Sequence, residues 1–219
     1  HQIKATFFVP GVIAEKYPLV VQEIVRRGHE IGFHGYLHEE FTTTVKAEEG
    51  ATMHRSERII RELTGQQIVG HRAPGGVIHD YSLELFLEHG YIYSSNWRDS
   101  DGPFLHKING KTVPLVELPK DSIFDDTAYD FYTDSAPERY ELKSPDEMYE
   151  IWKEEFDTLA DEGRMINFVL HPQFIGRASR VQMLSRLIGY MKTHGAWLTT
   201  NRDAAAWVLE QNGFAFTKT

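Results

Sequence analysis

Apolar, β-rich runs alternate with amphipathic segments of helical period along this chain, and that alternation restricts its fold more than any other feature. Ile3–Val9 reads as a buried strand. Glu15–Arg27 reads as a helix with Val20, Val21, Ile24 and Val25 on one face and Gly28 as its stop. A short strand at His29–Phe33 precedes a helix at Ala47–Leu63, stopped by Gly65, and Gln67–Gly70 is strand again. Ser82–His89 is a short helix ended by Gly90, and Tyr91–Ser95 and Pro114–Leu118 are strands. Ser144-Pro145-Asp146-Glu147 is a capping box with proline at the first helical position, opening a helix that runs to Gly163. Met165–Leu170 is a strand, Arg177–His194 a helix, Ala196–Thr200 a strand, and Asn201 caps a last helix through Trp207. Strands separated by helices of this length imply βαβ crossovers and a parallel sheet. Near-continuous apolar runs such as Met165–Leu170 fit a sheet covered on both faces. An α/β barrel and an open doubly wound sheet both meet these conditions. Residues 96–145, rich in Asp, Tyr and Pro, break the rhythm and read as an inserted loop layer within one domain of 1–219.

Composition narrows the function. Hydrophobic residues make up 41% of the 219, enough for a sizeable core. The net charge of −9 argues against a phosphate-backbone binder, and no polybasic segment is present for a membrane surface. No apolar run approaches the roughly 20 residues of a spanning helix. With no cysteine, any metal must sit on His, Asp or Glu.

Three segments then stand out, each following a predicted strand. In residues 28–38, His34 and His38 lie four apart, a spacing that puts two side chains on one side of a helical turn. Alternation along the strand puts Glu30 on the same side as His34. Arg72 precedes Ala73-Pro74-Gly75-Gly76, a tight turn able to aim a guanidinium inward. His171 is presented where Pro172 ends the Met165–Leu170 strand, a place suited to proton transfer. Each segment alone has a plain alternative: a surface histidine pair, a surface arginine, a satisfied histidine. Their shared position at strand C-terminal ends, where α/β proteins build their sites, favours a common function. Trp97, Phe104 and Tyr129 are candidates to line a pocket under the loop layer. Asp99, Asp101, Asp125 and Asp126 are candidates to meet polar substrate groups.

HExGxHGYxHE at 29–39, RAPGG at 72–76 and the strand-His-Pro at 171–172 resemble the metal-ligand, arginine and catalytic-histidine motifs of the polysaccharide deacetylase family. KATFFVPGVIAEKYP, SSNWRDSDGPF, VELPKDSIFDDTAYDF and HPQFIGRASRVQML resemble the branch holding peptidoglycan deacetylase-like proteins, cyclic imide hydrolases and allantoinases. The resemblance implies a distorted (β/α) barrel of about seven parallel strands. It implies a metal-dependent hydrolase of non-peptide C–N bonds, with His34 and His38 on a divalent metal, zinc first. His171 is then the general acid, and Arg72 orients a catalytic carboxylate. The family's first motif supplies that base and a third metal ligand as aspartates on an opening strand, expected upstream of residue 1. Asp125-Asp126 matches a family segment beyond the active-site core. Glu30, Pro74, Trp97, Asp99 and Asp101 are the candidate substrate contacts. An N-acetylated glycan is the expected substrate. A cyclic imide or ureide, or an inactive binding module of the same fold, are the alternatives. The branch implies a cytoplasmic homo-oligomer, with a secreted or periplasmic location as the alternative, and composition argues against a nucleic-acid or membrane partner.

Overall fold

A computed structural model describes residues 1–41, 44–130 and 142–216. They fall into two compact units, one of residues 3–119 with 199 onward, the other of residues 1–2 with 120–198.

The first unit is a six-stranded sheet backed by helices. Its strands are β1 (Thr6–Val9), β2 (Glu30–Phe33), β3 (Gly70–His71), β4 (Tyr93–Ser94), β5 (Phe104–Ile108) and β6 (Lys111–Glu117), in the spatial order β1-β2-β3-β4-β6-β5. Each pairing is parallel except β5 with β6, so the α/β class stands and the sheet is mixed. The β5–β6 hairpin lies inside the stretch expected to be a loop layer. Asn109 (φ 51°) and Gly110 (φ 76°) form its turn, both in the left-handed region that a two-residue hairpin turn needs. Asn-Gly between strand-like runs was a readable signal for it.

The helix expected at 15–27 is two helices, α1 (Gly11–Lys16) and α2 (Pro18–Arg26). Pro18 has no N–H to continue a helix and forces Tyr17 out of the helical region, so the chain bends and restarts there. Val21 is buried while Val20, expected beside it, is exposed. The helices α3 (Lys46–Thr64) and α4 (Ser82–Glu88) complete the layer. Ile31, Phe33, Phe41, Met53, Ile60, Phe86 and Tyr91 form the centre of its core.

Over β2 and β3 the chain approaches itself closely. A Cβ on Gly70 would fall 2.0 Å from the Tyr93 ring, and one on Gly32 would fall 2.6 Å from the Phe8 ring. Both positions therefore require glycine. Beneath these rings lies a buried carboxylate. Glu30 accepts from the Thr6 and Tyr93 hydroxyls and from the backbone N–H of Arg202. Arg202 is in α9 (Asn201–Gln211), whose cap is the Thr200 side chain rather than the expected Asn201. Burial pushes the Glu30 carboxyl above the usual carboxylate range, against those hydrogen bonds.

The second unit holds α5 (Thr127–Asp130), α6 (Pro145–Asp161), α7 (Pro172–Ile175) and α8 (Ala178–Thr193). Met148, Trp152, Phe156, Met183 and Leu187 form its core. The Trp152 indole N–H donates to the Ile123 carbonyl at 2.7 Å. The capping box at Ser144 forms as expected, with both reciprocal hydrogen bonds present. Met165–Leu170 finds a ladder partner at one point, a parallel bridge between Val169 and Asp125. Ala196–Thr200 forms no ladder among the described residues. Apolar character foretold burial there, whereas a strand also needs a paired neighbour. Residues 131–141 of the expected loop layer lie outside the described residues. No helix among the described residues is long and apolar enough to cross a membrane.

Two tests address stability. Ser144→Ala should cost about 1 kcal/mol of unfolding free energy by denaturant titration. For Glu30 the folded pKa is raised, so its contribution is full below the unfolded pKa and is lost as pH rises through the folded one. Glu30→Gln should therefore match or exceed the parent's melting temperature at neutral pH, and the gap should close on acidification. A variant that loses ground as pH rises would show the buried charge to be favourable.

Candidate active site

The segment after β2 turns sharply at Gly35 (φ 73°). It is anchored to α1 through Gly11 N–H to the Gly35 carbonyl and Val12 N–H to the Tyr36 carbonyl. It is anchored to α3 through the Ser56 hydroxyl on the Gly35 carbonyl and the Arg55 guanidinium 3.6 Å from the Tyr36 ring centre. The Glu39 carboxylate folds back to accept the backbone N–H groups of Tyr36 and Leu37. His38 is held at φ 66°, a left-handed conformation that costs a non-glycine residue on the order of 1–3 kcal/mol. The His34 and His38 rings meet edge to face with centres 4.8 Å apart. The HxxxH spacing suggested a helical turn. The pairing instead comes from this irregular loop, with two left-handed residues in five.

His34 Nδ1 lies 2.6 Å from the Arg72 carbonyl oxygen. A carbonyl can only accept, so Nδ1 carries the hydrogen and Nε2 the lone pair. Metal-binding histidines are commonly fixed in this way, by a backbone carbonyl on the other nitrogen. His34 and His38 thus fit as two imidazole donors to a divalent ion.

Arg72 follows β3 and is buried. Its Nη2 donates to the Ser95 hydroxyl at 2.7 Å, and that hydroxyl donates to the Leu118 carbonyl. The guanidinium carbon sits 4.5 Å from the Phe8 ring centre. Pro74 is buried and opens a tight turn in which Gly75 and Gly76 are left-handed. Asn96, unnoticed in the sequence, accepts the Ala73 N–H at 2.7 Å and so holds the turn. Asn96 and Trp97 in turn donate their backbone N–H groups to Glu117, which also pairs with His106. Those contacts outweigh burial and hold the Glu117 carboxyl below the usual range.

The other candidates are placed less centrally. Trp97 packs against His106 and Phe104, and Asp99 and Asp101 are exposed on the following bend. Glu30 has its carboxylate hydrogen-bonded to Thr6, Tyr93 and the backbone of Arg202, at the opposite end of β2 from His34. Sharing a strand face does not place two residues in one site when four positions separate them.

In the second unit, His171 stands at the N-terminus of α7, before Pro172. Its backbone N–H donates to Asp126 Oδ2 at 2.7 Å, and its ring Nδ1 lies 2.6 Å from Asp126 Oδ1. The Asp126 side chain is 0% exposed and the His171 side chain 35%. Asp125 Oδ1, 3.8 Å from the same ring nitrogen, accepts from the Thr127 N–H and hydroxyl. The Asp125-Asp126 pair, expected beyond the active-site core, therefore holds the expected catalytic histidine. The signal available was two adjacent acids inside an apolar run, where one is forced inward. A buried carboxylate on Nδ1 orients the ring and balances the positive charge of its protonated form.

Residues 1–94 match the family model for polysaccharide deacetylase. The chain is 27% identical over 231 residues to the peptidoglycan deacetylase of Helicobacter pylori (strain ATCC 700392 / 26695), covering 93% of this chain and 78% of that protein. The crystal structure of a polysaccharide deacetylase candidate from Mycobacterium smegmatis is similar with TM-score 0.89 and 29% identity, covering 99% of this chain and 76% of that one. Puue allantoinase is similar with TM-score 0.83 and 28% identity, covering 97% and 70%. The family match runs to the end of β4 and takes in His34, His38 and Arg72. The chain thus matches the polysaccharide deacetylase family model over residues 1–94 and is similar along most of its length to a peptidoglycan deacetylase and to a polysaccharide deacetylase candidate.

Proposed function

We propose that the chain is a metal-dependent hydrolase that removes the acyl group from an N-acetylated glycan. The observation that carries the metal dependence is the His34 ring, locked through Nδ1 on the Arg72 carbonyl and meeting the His38 ring edge to face. A divalent ion held there, zinc by donor type, supplies Lewis acidity toward an amide carbonyl and lowers the pKa of water to roughly 7.

The chain's own groups do the remaining work. His34 and His38 hold the ion with orientations set by the Arg72 carbonyl and the strained loop. Arg72, stiffened by Ser95 and Phe8, orients a carboxylate through its planar fork. The Pro74–Gly76 turn, held by Asn96 and by the Gly76 N–H on the Ala73 carbonyl, offers one backbone N–H, that of Gly75, to a developing oxyanion. His171 keeps its Nδ1 hydrogen on Asp126 and gives a proton from Nε2 to the leaving nitrogen.

The likeness to an allantoinase favours a second reading, hydrolysis of a small cyclic imide or ureide. Turnover of N-acetylglucosamine oligomers against succinimide, hydantoin and allantoin, each with and without chelator, separates the two. Glycan deacetylation lost to chelator supports the first reading. Turnover of the cyclic compounds alone supports the second, and turnover of none leaves a binding module.

His34→Ala and His38→Ala should each abolish hydrolysis and reduce bound metal. Full activity in a folded His34→Ala protein would end the metal mechanism. His171→Ala should lower kcat about 10²–10⁴-fold. Asp126→Asn should also lower kcat and should move the pH profile, because the amide cannot balance an imidazolium. An unchanged profile would reduce Asp126 to a packing role.

A further inference from the structure

A second group of metal-ligating side chains lies apart from the His34 and His38 pair, between α3 and the end of α4. His54 and Glu57 are three residues apart on α3 and so share a helix face. His89 is the C-cap of α4, and Gly90 (φ 74°) ends the helix there. One ligand atom from each of the three lies within 4.8 Å of the others.

The three are arranged with one carboxylate oxygen committed and the other not. Glu57 Oε1 accepts the Tyr91 hydroxyl at 2.7 Å and is 2.8 Å from His89 Nδ1. Glu57 Oε2 is 3.9 Å from His54 Nδ1, too far for a hydrogen bond. Donors at about 2.0 Å from a tetrahedral ion stand about 3.3 Å apart, so this gap needs a shift of only a few tenths of an ångström. The His54 and His89 ring centres are 4.3 Å apart, although the His54 side chain is 77% exposed. A histidine so exposed has a whole hemisphere of rotamers in water, yet it stands over a second imidazole and beside a carboxylate. Glu57 and His89 are largely shielded, which supplies a preorganised pair for a mobile third ligand. Two imidazoles and one carboxylate, with the outer side open to water, suit a borderline divalent ion such as Zn²⁺ rather than Mg²⁺ or Ca²⁺.

We propose that His54, Glu57 and His89 form a second divalent transition-metal site, a clip joining α3 to the end of α4. A coordinating imidazole nitrogen must carry its lone pair, so binding through His89 Nδ1 moves its hydrogen to Nε2 and breaks the bond to Glu57 Oε1. The neighbouring α3 residues Arg55 and Ser56 brace the His34–His38 loop, so the clip stiffens the helix that backs it.

The test uses the full chain with His34→Ala and His38→Ala, which removes the other imidazole pair. Zn²⁺ is titrated by calorimetry, and Cu²⁺ is added for electron paramagnetic resonance. We expect one equivalent of Zn²⁺ still to bind, a rise in melting temperature with Zn²⁺, and a Cu²⁺ signal with two coupled nitrogens. Adding His54→Ala, an exposed change that leaves the metal-free melt unaltered, should weaken Zn²⁺ binding at least about tenfold, as loss of even a supporting contact does. Glu57→Gln should do the same. Equal Zn²⁺ affinity with and without His54, or no binding in the starting double variant, would overturn the proposal. Neither result depends on hydrolytic activity, so the outcome is separate from that of the proposed function.

Discussion

The sheet's C-terminal edge is organised by one buried residue. Arg72 donates its backbone N–H to the Phe33 carbonyl at the end of β2 and accepts His34 Nδ1 on its own carbonyl. Its guanidinium reaches Ser95 after β4, and the Ser95 hydroxyl passes the connection to Leu118 after β6. The ring of Phe8 from β1 lies against its charged face. Five strands thus meet around one side chain. A cation buried at this depth is tolerated only if its donors are used and its charge is balanced by dipoles. The hydroxyl of Ser95 both donates and accepts, as its chemistry permits, so the chain of hydrogen bonds closes. The metal-ligand candidate His34 is oriented by the same residue. Loss of Arg72 would therefore disturb ligand geometry as well as charge.

The two candidate histidines differ in what sits on Nδ1, and the difference fits them to different chemistry. His34 rests on a neutral carbonyl, which fixes the tautomer without drawing a second proton to the ring. That suits a lone-pair donor. His171 rests on a buried carboxylate that also grips its backbone N–H. That suits a ring that must carry positive charge for part of a cycle. Identical side chains in a sequence are separated by their acceptors alone.

Much of this was readable before any coordinates. Helix stops at Gly28, Gly65, Gly90 and Gly163, and the capping box at Ser144, follow from local rules, and local rules act without regard to the rest of the fold. What escaped depends on partners distant in sequence. Met165–Leu170 and Ala196–Thr200 were apolar enough for strands, but pairing is a property of the neighbour. Glu30 was placed near His34 by alternation, which ranks faces and says nothing of depth along the strand. Asp126 lies in a segment that resembles the family outside its active-site core, and its partner His171 is 45 residues away in the chain. Asn96 and Glu117 act by holding backbone N–H groups, a role that no residue-type pattern announces. The β5–β6 hairpin is different, since its Asn-Gly turn was legible and was passed over for the composition around it.

The left-handed His38 shows how the parts depend on one another. A non-glycine residue held at φ 66° returns to commoner conformations unless its surroundings forbid it. Here Glu39 captures the N–H groups of Tyr36 and Leu37, and the Tyr36 hydroxyl donates to Glu15 of α1 while Arg55 of α3 covers its ring. Tyr36 is thereby pinned from two helices, and Leu37, the one residue between it and His38, has little freedom left. The strain at His38 is sustained by groups that carry no metal-binding chemistry of their own. An imidazole pair built on a regular helix would need no such support, but its spacing and tilt would be those of the helix. The irregular loop exchanges conformational ease for a near-perpendicular approach of the two rings, 78° between their planes.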